Sequence, residues 1–154
     1  MTDVLVVGYG NDLRADDGAG RRVADAVEAK GLPGVTVRSQ SQLTPELALE
    51  AAGRDLVVFV DADIEADELT HRAIEPGEGG GLMTHHGNPA SLLALVPTVG
   101  EPPRAAIVVS IPASNLGMGF ELSPRTAAAV EEAVELVVAI VEGREPGFPG
   151  DSAG

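Results

Sequence analysis

The chain has 154 residues, a single-domain length, and 44% of them are hydrophobic, so it can bury one sizeable core and is not generally disordered. Ten basic against 24 acidic residues give a net charge of −14, which excludes nucleic acid and anionic membranes as favoured partners and predicts a basic or metal-bearing one. The absence of cysteine excludes disulfides, thiolate nucleophiles and cysteine-based metal sites.

The N-terminal segment does not resemble an export signal. Asp3 stands where a signal peptide carries Lys or Arg, and no apolar run approaches the ~20 residues of a membrane span. We therefore expect a cytoplasmic protein, and we expect it to be a monomer.

The first half of the chain alternates between short β-branched runs and helical patterns. Turn-rich residues separate the first strand from the first helix, and Gly or Pro ends both helices. The predicted elements are a strand over 4–7, a helix over 19–30, a strand over 35–37, a helix over 44–52 and a buried strand over 56–60.

The second half continues the alternation after a glycine-rich loop. Alternating polarity predicts an edge strand over 69–74, and the loop then runs from 76 to 87. Further elements are a helix over 89–95, a buried strand over 105–111 and a long helix capped by Ser123. The apolar stripe expected on that helix consists of Val130, Val134, Val137, Val138 and Val141.

This order of elements predicts the fold class. Strands that alternate with helices form a three-layer α/β/α domain, here with a twisted, mostly parallel sheet of about five strands, phosphorylase/hydrolase-like. We assign residues 1–142 to this domain and 143–154 to a flexible tail. In such folds the functional crevice lies beyond the carboxyl ends of the strands.

Several familiar motifs are absent or incomplete. Gly8 and Gly10 begin a dinucleotide-binding pattern, but Leu13 occupies the position of its third glycine. A phosphate-binding P-loop is excluded because the only lysine is Lys30, and no zinc-protease or serine-hydrolase signature is present.

Polar side chains of the metal-ligand type are expected at one edge of the sheet. Asp16 and Asp17 end the loop after the first strand, Asp61 ends a buried strand, and His85 and His86 lie in the glycine-rich loop. Two carboxylates and an imidazole suit nickel, zinc or manganese, and three protein ligands leave positions open for substrate or water.

Each of these residues also has an ordinary structural interpretation. One of Asp16 and Asp17 would cap the helix that follows, where a carboxylate suits the positive end of the helix dipole. Asp61 would bond loop amides at a strand end, and His85 and His86 would be solvated.

The chain resembles the [NiFe]-hydrogenase maturation proteases over residues 3 to about 142. Residues 8–20 match the whole of the pattern G-x-G-N-x-L-x-x-D-[DE]-G-x-G, which is specific to that family. Residues 58–62 are similar to its strand ending in Asp-Ala, residues 83–85 to its histidine loop, and residues 119–124 to the segment before its last helix.

The resemblance implies an endopeptidase of the α/β class. It would remove a C-terminal extension from a hydrogenase large-subunit precursor after nickel insertion, and the nickel would arrive with that precursor as a recognition element. Asp17, Asp61 and His85 would be both the catalytic and the metal-contacting residues, with Asp16 as a supporting or capping acid. No organic cofactor is implied.

Some alternatives remain open at this stage. The histidine that contacts the metal is either His85 or His86, although the position after Thr84 favours His85. A glycine-rich hinge over 77–81 is a hypothesis. The rival functions are a non-enzymatic metal- or nucleotide-sensing domain, and a related peptidase with another precursor as substrate.

Overall fold

The computed structural model describes residues 3–75 and 88–144. The strands are β1 (Val4–Tyr9), β2 (Val35–Gln40), β3 (Leu56–Asp63), β4 (Thr70–Ile74) and β5 (Ala106–Pro112). The α-helices are α1 (Ala19–Ala29), α2 (Leu47–Ala51), α3 (Pro89–Leu95) and α4 (Pro124–Val141). A 3₁₀ turn over Ala15–Gly18 precedes α1, and a second over Val96–Thr98 follows α3.

The five strands form one sheet in the order β2-β1-β3-β5-β4. β2, β1, β3 and β5 are neighbours in the sheet and run parallel, whereas β4 pairs antiparallel with β5 at the edge. The predicted five-stranded, mostly parallel sheet and its edge strand are therefore confirmed.

Alternate residues of the central strands pack on opposite faces of the sheet, as the two-residue strand period requires. Val4, Val6, Val58 and Val60 lie on the face covered by α1 and α4. Leu5, Val7, Val57 and Phe59 lie on the other face, with α2 and α3. The predicted three layers are present, and the strands are apolar on both faces because both are covered.

Two element predictions need correction. The second helix is shorter than expected, since residues 45 and 46 form a turn and the helix spans only Leu47–Ala51. The buried stripe of α4 is Thr126, Ala129, Ala133, Val137 and Ile140, with Val130, Val134 and Val141 only partly buried. Small alanines face inward because α4 packs closely against α1 and β5.

Two predictions concern parts of the chain outside the described residues. Nearly all of the proposed tail, from residue 145 onward, and the whole proposed glycine hinge at 77–81 fall there. Within the described residues, no helix has both the length and the apolar character needed to cross a bilayer.

Candidate functional site

The candidate site lies where β1 and β3 end side by side. Gly8 of β1 is in register with Val60 of β3, so the next residues, Tyr9 and Asp61, are cross-strand neighbours. Because side chains alternate between the two faces along a strand, both residues belong to the face covered by α2 and α3. Tyr9 packs against the core on that face. The parallel topology thus brings a carboxylate and a phenol together at the carboxyl edge of the sheet.

Asp61 is held in an environment that disfavours its charge. Burial is the largest effect and raises the pKa of Asp61 to about 6, with smaller contributions from the negative charges of Asp63 and Asp17. Hydrogen bonds from the Tyr9 hydroxyl and the Ala62 backbone oppose this rise. Burial is the largest cause that raises the pKa of Tyr9 well above its usual value, and the carboxylates of Asp61, Asp17 and Asp63 raise it further. The phenol therefore remains a hydrogen-bond donor.

Asp17 reaches the same edge from the 3₁₀ turn after β1. Its Oδ2 accepts a hydrogen bond of 2.8 Å from the backbone N–H of Asn11, which fixes the carboxylate across its own loop. Its charge contributes to the raised pKa of Asp61, so the two predicted site carboxylates act on each other. Two acids expected at one edge from their sequence positions are therefore electrostatic neighbours.

Asp16 points into the protein instead and is fully buried. Its Oδ2 lies 2.8 Å from the backbone nitrogens of Ser114 and Asn115, and its Oδ1 lies 2.7 Å from that of Ser123. The hydroxyls of Ser123 and Thr126 are within 3.0 Å of Oδ2. Burial alone would raise the pKa of Asp16, but the backbone and hydroxyl donors together lower it to about 2.

Neither acid caps α1, contrary to the ordinary structural interpretation. The residue before that helix is Gly18, and it makes no side-chain cap. Asp16 ties the start of α4 to the loop after β5, whereas Asp17 bonds the backbone of Asn11. Ser123 does precede α4 as predicted, but its hydroxyl bonds Asp16 instead of capping its own helix.

His85 and His86 lie outside the described residues. Within 3–75 and 88–144, no group of three or more His, Cys, Asp or Glu side chains is placed to hold a metal ion. Asp17 and Asp61 lie at the same edge of the sheet, and the metal contacts predicted for them and for the histidine stay predictions. Asn88, the first residue described after this segment, caps α3 with its side chain, which accepts from the Ser91 N–H at 2.7 Å.

The direction of α3 follows from the position of the segment after it. After α3 the chain reaches the amino edge of the sheet, where the Ala105 carbonyl accepts from the N–H of Val57 in β3. Since α3 runs back toward that edge, its first residue, Pro89, points toward the carboxyl edge. It does so on the face of the sheet that Asp61 shares.

Comparison with known proteins shows what the chain is similar to. No family model matches the chain. The Hydrogenase 2 maturation protease of Escherichia coli (strain K12) is 29% identical over 153 residues, which cover 94% of this chain and 92% of that protein. The solved structure of the E. coli hydrogenase maturating endopeptidase HybD is 25% identical and superposes with a TM-score of 0.74, covering 91% and 92% of the two chains. The chain is thus similar over nearly its whole length to hydrogenase maturation proteases.

A third relative widens the range of organisms. The hydrogenase 2 maturation peptidase from Thaumarchaeota archaeon SCGC_AB-539-E09 is 28% identical with a TM-score of 0.68, covering 93% of this chain and 99% of that one. All three relatives carry the name of a protease, peptidase or endopeptidase. These likenesses support an enzyme that hydrolyses peptide bonds.

The glycines of the first sequence motif serve close packing. A Cβ on Gly8 would lie 2.1 Å from the carbonyl oxygen of Gly20, and one on Gly20 would lie 2.4 Å from that of Val60. A Cβ on Gly10 would lie 1.9 Å from the Asp17 carbonyl oxygen. These positions are filled by the protein's own backbone and leave no cradle for a phosphate, which counts against nucleotide sensing.

The sequence motifs give no role to two residues of the site. Tyr9 stands at a variable position of the glycine motif, yet its hydroxyl donates to Asp61. Asp63 follows Asp61 by two residues, and β3 extends to it, so that its charge acts on Asp61. The two-residue strand period places 61 and 63 on one face, and this was the available signal.

Proposed function

We propose that this maturation protease removes a C-terminal extension from a [NiFe]-hydrogenase large-subunit precursor once nickel is inserted. The observation that carries the proposal is that Asp17, in the 3₁₀ turn after β1, acts through its charge on Asp61 at the end of β3, in a chain similar over nearly its whole length to such proteases. The names of the relatives indicate a hydrogenase precursor as the substrate. The acidic, cysteine-free edge of the sheet supports contact with a metal ion.

The chemistry of the donors suits nickel that is carried by the substrate. Carboxylate oxygens are weaker nickel ligands than thiolates, so Asp17 and Asp61 would contact the ion without extracting it from a sulfur-rich precursor. The absence of cysteine in this chain keeps competing thiolates away. The nickel is thus part of the substrate, and the enzyme detects its presence.

His85 completes the proposed set. A neutral imidazole is a common ligand for nickel and would add a third contact beside two carboxylates. The Asn88 cap anchors the chain three residues later, at the start of a helix on the face that Asp61 shares. Adjacent side chains do not readily point the same way, so we propose one histidine, and we choose His85 over His86 because of its position after Thr84.

Hydrolysis also requires a group that accepts a proton from the attacking water. The water oxygen bonds to the scissile carbonyl carbon, the C–N bond breaks, and the departing nitrogen takes up a proton. Because the pKa of Asp61 is about 6, this carboxylate is ionised at neutral pH and is a stronger base than an ordinary aspartate. Asp61 therefore suits proton transfer as well as metal contact.

Site variants test this assignment through the rate of precursor cleavage. We expect Asp17→Asn, Asp61→Asn and His85→Ala to lower kcat at least about a hundredfold, the scale of losing a proton-transfer group or a metal contact. Asp25→Asn, which removes an exposed acid from α1, is the matched control for charge and should cleave like the wild type.

The histidine assignment has its own comparison. His86→Ala should retain most of the wild-type rate while His85→Ala loses it. Full activity of His85→Ala with loss in His86→Ala would exchange the two roles. Full activity of both Asp17→Asn and Asp61→Asn would contradict the proposed site.

A further inference from the structure

An exposed apolar ridge borders the proposed site. Leu13, Met118 and Phe120 are 51%, 87% and 63% exposed, although each is a large hydrophobic residue. Leu13 belongs to the loop that carries Asp17, and the other two belong to the segment between β5 and α4. We call these three side chains the ridge.

The backbone beneath the ridge is held by hydrogen bonds between the two loops. Arg14 and Gly119 are paired as in a parallel sheet, a register that sets Leu13 beside Met118. The Gly119 N–H donates to the Leu13 carbonyl at 2.8 Å, and the Ala15 N–H donates to the Gly119 carbonyl at 2.7 Å. The apolar side chains are thus presented on an ordered support.

The same support continues into the proposed site. The Asp16 carboxylate fixes the segment after β5 through Ser114 and Asn115, and the Asp16 N–H donates to the Asn115 carbonyl at 2.9 Å. Asp17 follows directly in the chain. A polypeptide lying on the ridge would therefore be close, along one hydrogen-bonded unit, to the carboxylates proposed to act on it.

Positive charge flanks the ridge in a protein of net charge −14. Arg14 donates from Nε to the Leu116 carbonyl, and Arg22 donates from Nη2 to the Phe120 carbonyl at 2.6 Å. Both arginines are exposed, and neither forms an ion pair with any residue that the structure describes.

The acids of the two loops are mostly neutralised locally. Asp16 is buried among hydrogen-bond donors, and Asp12 forms an ion pair of 3.3 Å with Arg21. Asp17 accepts from the Asn11 N–H and belongs to the proposed carboxylate site, and Glu121 stands against the two flanking arginines. The surroundings of the ridge therefore favour a partner that combines apolar side chains with a carboxylate.

We propose that the ridge and its two arginines bind the precursor polypeptide through a segment that presents apolar side chains next to an acidic group. This inference rests on the proposed function and adds to it a binding surface outside the carboxylate site. Burying exposed apolar side chains on an ordered support yields affinity without an additional ordering cost.

Steady-state cleavage of the nickel-loaded precursor tests the ridge. Met118→Ser and Phe120→Ser should each lower kcat/KM about tenfold, equivalent to about 1.4 kcal/mol, with the loss appearing in KM. Leu49→Ser removes an equally exposed leucine from α2 and is the matched control, expected to keep the wild-type KM. Arg22→Gln should also raise KM, and Arg22→Lys should restore much of it.

Binding by the inactive Asp61→Asn protein separates docking from chemistry. Adding Phe120→Ser to Asp61→Asn should raise the Kd for the precursor about tenfold relative to Asp61→Asn alone, whereas adding Leu49→Ser should leave that Kd unchanged. Thermal unfolding of each variant shows that the exposed substitutions leave the fold intact.

The remaining outcomes are distinguishable. If the ridge variants cleave the precursor with the same KM as Leu49→Ser, the ridge proposal is overturned and the proposed function stands. A wild-type dimer that these variants convert to a monomer, with KM unchanged, would make a second copy the occupant and overturn the proposal. If the wild type neither binds nor cuts the precursor, the proposed function fails and the ridge proposal fails with it.

Discussion

Asp16 and Asp17 are adjacent in the chain but serve different purposes in the fold. The carboxylate of Asp16 is buried with donors on both oxygens, whereas that of Asp17 bonds one loop amide and faces Asp61. The sequence alone could not separate them, because either acid would fit a helix cap. Only the family resemblance distinguished them, and it made Asp16 the supporting acid, which agrees with the structure.

Asp16→Asn should destabilise the protein by about 3 kcal/mol, since an amide cannot accept from all of these donors and places its own NH₂ group against some of them. Urea unfolding at pH 7 measures this loss. Asp12→Asn, at the partly exposed ion pair with Arg21, is the control and should change the free energy of unfolding by less than about 1 kcal/mol. Equal effects of the two substitutions would contradict the anchoring role of Asp16.

The lowered pKa of Asp16 predicts how the free energy of unfolding changes at acid pH. Its pKa is lowered from an ordinary value of 3.8 to about 2, so the folded state favours the ionised form. The stabilisation it provides is complete above about pH 4 and is lost as the pH falls toward 2. Asp16→Asn should therefore flatten the fall in stability between pH 4 and 2, and an unchanged slope would show that other groups cause it.

Asp61 shows the opposite linkage. Its pKa is raised from 3.8 to about 6, so its contribution to stability is full below pH 4 and lost as the pH rises through 6. Asp61→Asn should raise the free energy of unfolding by about 2 kcal/mol at pH 8 and by little at pH 4. A variant that is inactive yet more stable would mark a residue kept for function; equal or lower stability at pH 8 would contradict the raised pKa.

At the scale of elements, α1 lies unusually close to the sheet because glycines line the contact. Gly20 faces the Val60 carbonyl, and Gly8 faces both Gly20 and the Ala24 side chain. This close approach places the 3₁₀ turn, and with it Asp17, over the ends of β1 and β3. The spacing of the glycine motif was visible in the sequence, but which surfaces touch depends on how the helix returns over the sheet.

Gly20→Ala should cost about 3 kcal/mol or more, because its Cβ would lie 2.4 Å from a strand carbonyl oxygen that cannot move freely. Gly53→Ala is the matched control. Its φ is +76° with nothing within 4 Å of the new Cβ, so only about 1 kcal/mol of left-handed strain is expected. Thermal or urea unfolding compares the two, and similar losses would contradict the packing argument.

The elements themselves were largely predictable, for identifiable reasons. β1, β3 and β5 are continuous apolar runs between breakers, and the Ser-Pro pair before α4 is a strong start signal. Val137 of the predicted stripe of α4 is buried, but its other valines are at most partly buried, because valines outrank alanines in hydrophobicity whereas close packing against α1 selects the smaller residues. Tertiary packing overrode the local pattern there.

At the scale of the whole molecule, the order of the strands assembles the site. β1 and β3 are neighbours although α1, β2 and α2 separate them in sequence, and this adjacency brings Tyr9 and Asp17 to Asp61. Strand–helix alternation predicted the edge at which acids would gather. The partnership of Tyr9 with Asp61 could not be read in advance, because it depends on the register of two distant segments.

The most direct test is intact-mass analysis of a hydrogenase large-subunit precursor from the same organism, incubated with this protein with and without inserted nickel. The account predicts loss of one C-terminal peptide from the nickel-loaded precursor only, and no loss with Asp61→Asn. Equal cleavage of nickel-free precursor would contradict nickel recognition, and an uncut precursor in both states would contradict the proposed function itself.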